Sequence, residues 1–227
     1  MQMVIPCGGF ANRLEGLAKD KPKALMEVNG KPFIDWQLNL IKKYDFDEVI
    51  LCIDYLGEKI QSHFSNEKDY GIKIKYSHDN HLGVIGAVKN AEELLHEHFF
   101  MMYGDSYLPK LDFNEMYSRF LNQNKLAMMS VWRNNNEIDP SNIKVIPGEV
   151  INVGEKGSDY IDYGAIVFNK KVLNFIPKGK VFSTEDFWKV LSEKRQLAAY
   201  EVGFRFYHIG NPGRLQEVQN LLMKNSI

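Results

Sequence analysis

"MQMVIPC", residues 1–7, runs directly into "GGFANRL", residues 8–14, and "PKALMEVNGKP" follows at 22–32. An apolar strand that stops at Gly8-Gly9 and hands over to Arg13 and Lys23 has the form of a phosphate cradle. Glycines let the backbone approach a ligand and offer unblocked N–H groups to anionic oxygens. Arg13 would grip phosphate oxygens in bidentate fashion, and Lys23 would add a mobile point charge. A plain surface turn with solvated cations is the alternative. No Walker loop and no G-x-G-x-x-G is present.

The pattern continues outward from that stretch. "PFIDWQLNLIKKY" (32–44) places Phe33, Ile34, Leu38 and Ile41 at helical spacing. "EVILCID" (48–54) is continuously apolar, as in a strand covered on both faces. A helix over "YLGEKIQSHF", a strand at 71–77, a helix at 85–95 and a strand over "FFMMYGD" (99–105) follow. Such alternation predicts parallel βαβ units with helices on both faces, a Rossmann-like doubly wound α/β sheet that binds ligands beyond its strands' carboxyl ends. Gly8-Gly9 and Gly104-Asp105 both fall at strand ends, so the two are expected to meet in space.

The second half reads as an added, partly antiparallel portion. Its strands are "LAMMSVW", "IKVI", "EVINVG" and "YIDYGAIVFN", and its helices are 183–194, capped by Ser183 or Thr184, and 212–224. One domain over 1–227 is expected, with a nucleotide-binding half at 1–105 and a sugar-phosphate-binding half at 106–227. The helices at 33–44 and 212–224 are candidate dimer faces, so monomer or homodimer both stay open.

The bulk numbers exclude several classes. A net charge of −1 argues against a dedicated nucleic-acid binder. No apolar run approaches the roughly 20 residues that span a bilayer, and no signal peptide is evident, so a cytoplasmic protein is expected. Cys7 and Cys52 sit in apolar strands and read as reduced packing residues.

Taken together, Gly8-Gly9, Arg13-Leu14, Pro22-Lys23 and Gly30-Lys31-Pro32 resemble the signature of the sugar-1-phosphate nucleotidyltransferases. Further motifs follow in the same order: "HLGVIGAVKNA" (81–91), "YGDSYL", "GEKG" and "YHIGNPGRLQE". Within the family the chain is most similar to small bacterial guanylyltransferases for mannose or heptose 1-phosphate. The resemblance implies a GT-A-like nucleotidyltransferase fold. It also implies transfer of a nucleotidyl group from an NTP, GTP first, to a sugar 1-phosphate for surface polysaccharide, with release of pyrophosphate.

Residue by residue, the resemblance implies that Arg13 holds the pyrophosphate, Lys23 the α-phosphate and Asp105 a Mg²⁺ ion. Gly8, Gly9, Gly83, Gly86 and Gly104 would wall the nucleotide, with Asp79 near the base. Glu155 and Lys156 would meet the sugar phosphate, and Asp162, Gly164 and Glu185 the sugar. Two departures stand out. Val84 occupies a position where the family has a hydroxyl. His208 falls where its second metal-binding aspartate falls, and would there bind Mn²⁺, hydrogen-bond a phosphate, replace an ion when protonated, or simply pack. CTP or UTP chemistry on another phosphorylated acceptor, a glycosyltransferase, and a non-catalytic nucleotide-sugar binder remain alternatives.

Overall fold

The first strand shows how the molecule is layered. Side chains alternate across a strand, and accordingly Met3 and Ile5 enter one buried apolar layer while Val4 enters the other. The computed structural model describes residues 1–8, 21–65, 70–146, 149–154 and 157–224. Gly9, Arg13, Glu155 and Lys156 lie outside the described residues.

In chain order the strands are β1 (Gln2–Pro6), β2 (Glu27–Val28), β3 (Lys31–Pro32), β4 (Glu48–Ile53), β5 (Lys73–His78), β6 (His98–Met102), β7 (Ser106–Tyr107), β8 (Ala127–Arg133), β9 (Ile143–Ile146), β10 (Glu149–Val153), β11 (Tyr160–Asn169), β12 (Leu197–Glu201) and β13 (Tyr207–His208). The α-helices are α1 (Phe33–Ile41), α2 (Gly57–Ser65), α3 (Gly83–Asn90), α4 (Phe113–Leu121), α5 (Thr184–Glu193) and α6 (Pro212–Lys224). The main sheet runs β5-β4-β1-β6-β11-β8-β12-β10-β9. Its first four strands are parallel, with Gln2 opposite Glu48 and Met3 opposite Phe100. From β11 onward the pairing is mixed: β11 is antiparallel to both β6 and β8, and β12 is parallel to β8.

Helices cover both faces. Buried side chains of α1, α2, α4 and α6 join one layer, and those of α3 and α5 the other. All six residues of β4 are buried, as its unbroken apolar run requires. Each fully buried Phe or Leu, such as Phe33, Leu38 or Phe113, contributes roughly 1.5–3 kcal/mol of transfer free energy. Local signals fix helix starts: Ser183 caps α5 by accepting from the Asp186 N–H, and Asp112 caps α4 by accepting from Glu115 N–H.

Several sequence expectations need adjustment. The helix read over 85–95 begins at Gly83, ends at Asn90 and gives way to a separate 3₁₀ turn at Glu92–Leu94. His98 opens β6; its ring packs edge-on against Tyr117 and Phe120 and bonds Asn169. Helix α1 is a poor dimer face, because seven of its nine residues are buried in the chain's own core.

Candidate active site

Parallel strands deliver their carboxyl ends to one edge of the sheet, and two glycines let those ends close up. A Cβ on Gly8, just beyond β1, would stand 2.8 Å from the Asp54 Cβ beyond β4. A Cβ on Gly104, beyond β6, would collide with the Pro6 carbonyl. Only glycine permits these approaches. Lys23 opens a 3₁₀ turn at Lys23–Leu25 and donates from Nζ to Asp105 Oδ2 at 2.6 Å. Their side chains stay 19% and 33% exposed, so a ligand can reach the pair.

This pair sits on a cavity of about 460 Å³, inside the usual range of small-molecule sites. Gly8, Lys23, Gly104 and Asp105 line it, together with Asp54, Asp79, His81, Gly83 and Val84. Asp79 Oδ1 accepts from the Leu82 N–H at 3.1 Å. Burial, reinforced by the nearby Asp54 carboxylate, pushes the Asp79 pKa up. His81 holds a left-handed φ of 55°, and its Nδ1 meets Asp54 Oδ2 at 2.5 Å. Gly83 has φ +71°, and a Cβ there would meet open space. Cys7 also borders the cavity, but burial raises its thiol pKa to about 12, leaving it protonated and inert.

The remaining predicted residues are placed differently. Gly86 is absent from the cavity wall; a Cβ there would press on Leu82 and on the Lys180 carbonyl at 3.1 Å, so its job is to pack α3 against the chain before α5. Gly164, at φ +113°, lies where β11 breaks register against β8, and a Cβ would fall 2.8 Å from Ser106 Oγ. It lets β11 pass beneath the Asp105 turn, and bulges of this kind gather beside active sites.

Asp162 accepts from the Tyr103 hydroxyl at 2.9 Å and from the Gly164 N–H at 2.8 Å. Burial lifts its pKa to about 6. Glu185 pairs with Lys189 at 2.6 Å. It also lies against Gly154, where a Cβ would come within 2.5 Å of its Oε1.

His208 is held by the chain itself. Its Nδ1 accepts from the Gly210 N–H at 3.0 Å, which leaves the proton on Nε2, 3.3 Å from Asp139 Oδ2. Both nitrogens are engaged by the chain, so in this arrangement neither is free to ligate a metal. Burial lowers the ring's pKa despite the pull of Asp105 and Asp139, so it is neutral near pH 7.

Sequence reasoning missed Asp54, His81 and Tyr103. Asp54 follows β4 as Asp105 follows β6, so the same strand-end rule would have found it. Tyr103 lines the cavity and joins Asp162 behind it; its adjacency to Gly104 was the available signal.

A crevice of small-molecule size beyond the carboxyl ends of parallel strands, lined by glycines and bearing a lysine–carboxylate pair, is what a nucleotide-handling α/β enzyme needs. The chain belongs to the nucleotidyl transferase family, whose model matches residues 2–225. It is 30% identical over 218 residues to the D-glycero-alpha-D-manno-heptose 1-phosphate guanylyltransferase of Campylobacter jejuni, covering 93% of this chain and 96% of that protein. Among solved structures it superposes on HddC from Yersinia pseudotuberculosis with a TM-score of 0.81 at 24% identity, covering 97% of this chain and 99% of that one. HddC has also been solved with GMP-PN. The inositol-1-phosphate CTP transferase of T. maritima shares the fold with a TM-score of 0.78 at 21% identity, over 98% of this chain and 95% of that one.

Proposed function

We propose that the chain joins a nucleoside triphosphate, GTP first, to mannose or heptose 1-phosphate, giving an NDP-sugar for surface polysaccharide and pyrophosphate. The observation that carries this reading is the 2.6 Å contact between Lys23 and Asp105 at the mouth of the cavity. It joins a cation suited to a phosphate with a hard oxygen suited to Mg²⁺. The guanylyltransferase relative supports the base and the sugar class.

A sugar phosphate oxygen attacks the α-phosphorus and pyrophosphate leaves, so catalysis is largely positioning and electrostatics. Lys23 releases Asp105 and turns to the α-phosphate. The backbones at Gly8 and Gly104 allow the phosphates close approach, while Asp79 and Gly83 border the base and ribose. By resemblance, Arg13 takes the pyrophosphate and Glu155-Lys156 the sugar phosphate, with Glu185 against Gly154. Asp162 and Tyr103 brace the floor of the sugar pocket.

Asp105 fits Mg²⁺ as a hard carboxylate oxygen on the cavity wall, beside Lys23. Mg²⁺ commonly takes one or two carboxylates and completes its shell with substrate phosphates and water. Held by Asp105, the ion would neutralise charge on the triphosphate. We propose one domain spanning both halves, acting as a monomer or homodimer in the cytoplasm. Separately, no described helix is long and apolar enough to cross a membrane.

CTP is the competing donor, because a CTP transferase shares the fold. Four nucleoside triphosphates assayed against several sugar 1-phosphates for pyrophosphate release decide between them. The expected pair is GTP with mannose or heptose 1-phosphate. No pyrophosphate from any pair would overturn the reading.

A further inference from the structure

Helix α1 buries Phe33, Ile34, Leu38, Leu40 and Ile41, and in their midst Gln37 is 0% exposed. A leucine would fill such a place at no polar cost. The glutamine instead leaves its Oε1 buried with no hydrogen-bond partner, the one such side-chain atom among the described residues. A buried amide oxygen without a partner is costly, and its persistence asks for a reason.

The reason lies on the other side of the amide. Nε2 donates to the Tyr103 carbonyl at 3.0 Å and to the Ser106 carbonyl at 2.8 Å. These two carbonyls bracket Gly104-Asp105. Backbone bonds hold the same turn elsewhere: Ser106 N–H to Tyr103 O, Tyr103 N–H to Gly164 O, and Ile209 N–H to Asp105 O. Both donors of one rigid side chain thus close the turn that aims the Asp105 carboxylate into the cavity. We infer that Gln37 is a positioning residue for Asp105, acting through the two carbonyls that bracket its turn.

This rests on the reading in which Asp105 carries the metal, and the test separates the two. Gln37→Met keeps the length and removes both donors; Gln37→Glu keeps the shape and sets carboxylate oxygens against the same carbonyls. Amide hydrogen exchange over residues 103–108 is followed beside kcat and KM for pyrophosphate release. The expected result is exchange faster by roughly tenfold or more at 103–108, with 113–121 unchanged. In parallel kcat falls by roughly ten- to a hundredfold while the nucleotide KM moves less than about threefold.

A folded Met or Glu variant with wild-type exchange at 103–108 overturns the inference. So does exchange that rises equally at 113–121, which would make Gln37 a support of the whole fold. Asp105→Asn is run alongside: full turnover there sinks the metal reading, while exchange at 103–108 still decides what Gln37 does.

Discussion

The two halves of the sheet place their polar residues differently. Around the parallel strands β1, β4 and β6, the residues Gly8, Lys23, Asp54, Asp79, Gly104 and Asp105 all border one cavity. In the mixed half, Asp162, Glu185 and His208 are taken up by partners inside the chain: Tyr103 and the Gly164 N–H, Lys189, and Asp139 with the Gly210 N–H. Parallel strands put every carboxyl end on one edge, so chemistry gathers there by topology. Mixed pairing scatters strand ends, and the polar groups left over act as braces. We propose that the first half binds and reacts while the second supports it.

Substitutions ordered by expected effect would sharpen or break that contrast. Asp105→Asn should cut kcat by about a thousandfold or more, roughly 4 kcal/mol of transition-state stabilisation, measured by pyrophosphate release at saturating Mg²⁺. A fully active variant would remove Asp105 from the chemistry. Lys23→Ala should cost about a hundredfold in kcat. It should also tighten Mg²⁺ binding to the free protein, since Lys23 no longer competes for the carboxylate; unchanged Mg²⁺ affinity by calorimetry would deny that competition.

In the second half, Asp162→Asn should act on stability before activity. A carboxyl whose folded pKa, about 6, exceeds the ordinary aspartate value of 3.8 favours folding while protonated. That contribution is complete below about pH 4 and is lost as pH rises through about 6, a swing of about 3 kcal/mol. Urea unfolding at pH 5 and pH 8 should show a smaller pH difference in the asparagine variant than in the wild type, and an equal difference would contradict the brace.

The smallest effect is expected at His208. Its neutral ring touches only protein groups, so His208→Asn should lower kcat less than about tenfold and leave the Mg²⁺ requirement unchanged. A large rise in the Mg²⁺ needed would restore it as a ligand.

The sequence made the parallel half legible because strands buried on both faces read as unbroken apolar runs, as in β4. The boundaries of β11 and α6 were equally plain, the first from its long β-branched and aromatic run and the second from Pro212 at its start. Gly8 and Lys23 could be expected near Asp105 because strand ends and ligand sites coincide in such sheets, while Gly9 and Arg13 lie outside the described residues. What stayed hidden were pairings across long separations. His208 meets Asp139 across 69 residues, Tyr103 meets Asp162 across 59, and Gln37 meets the Ser106 carbonyl across 69. No local period encodes these. A buried glutamine in an amphipathic helix reads as a slip in the pattern until the turn it clamps is in view.

The central claim is that Lys23 and Asp105 face one crevice that takes a magnesium-bound triphosphate. Titration calorimetry of Mg²⁺–GTP into the wild-type protein and into Lys23→Ala tests it most directly. The account predicts saturable binding to the wild type that the variant loses by about tenfold or more. Equal affinity for both proteins, or no heat with any of the four nucleoside triphosphates, would contradict it.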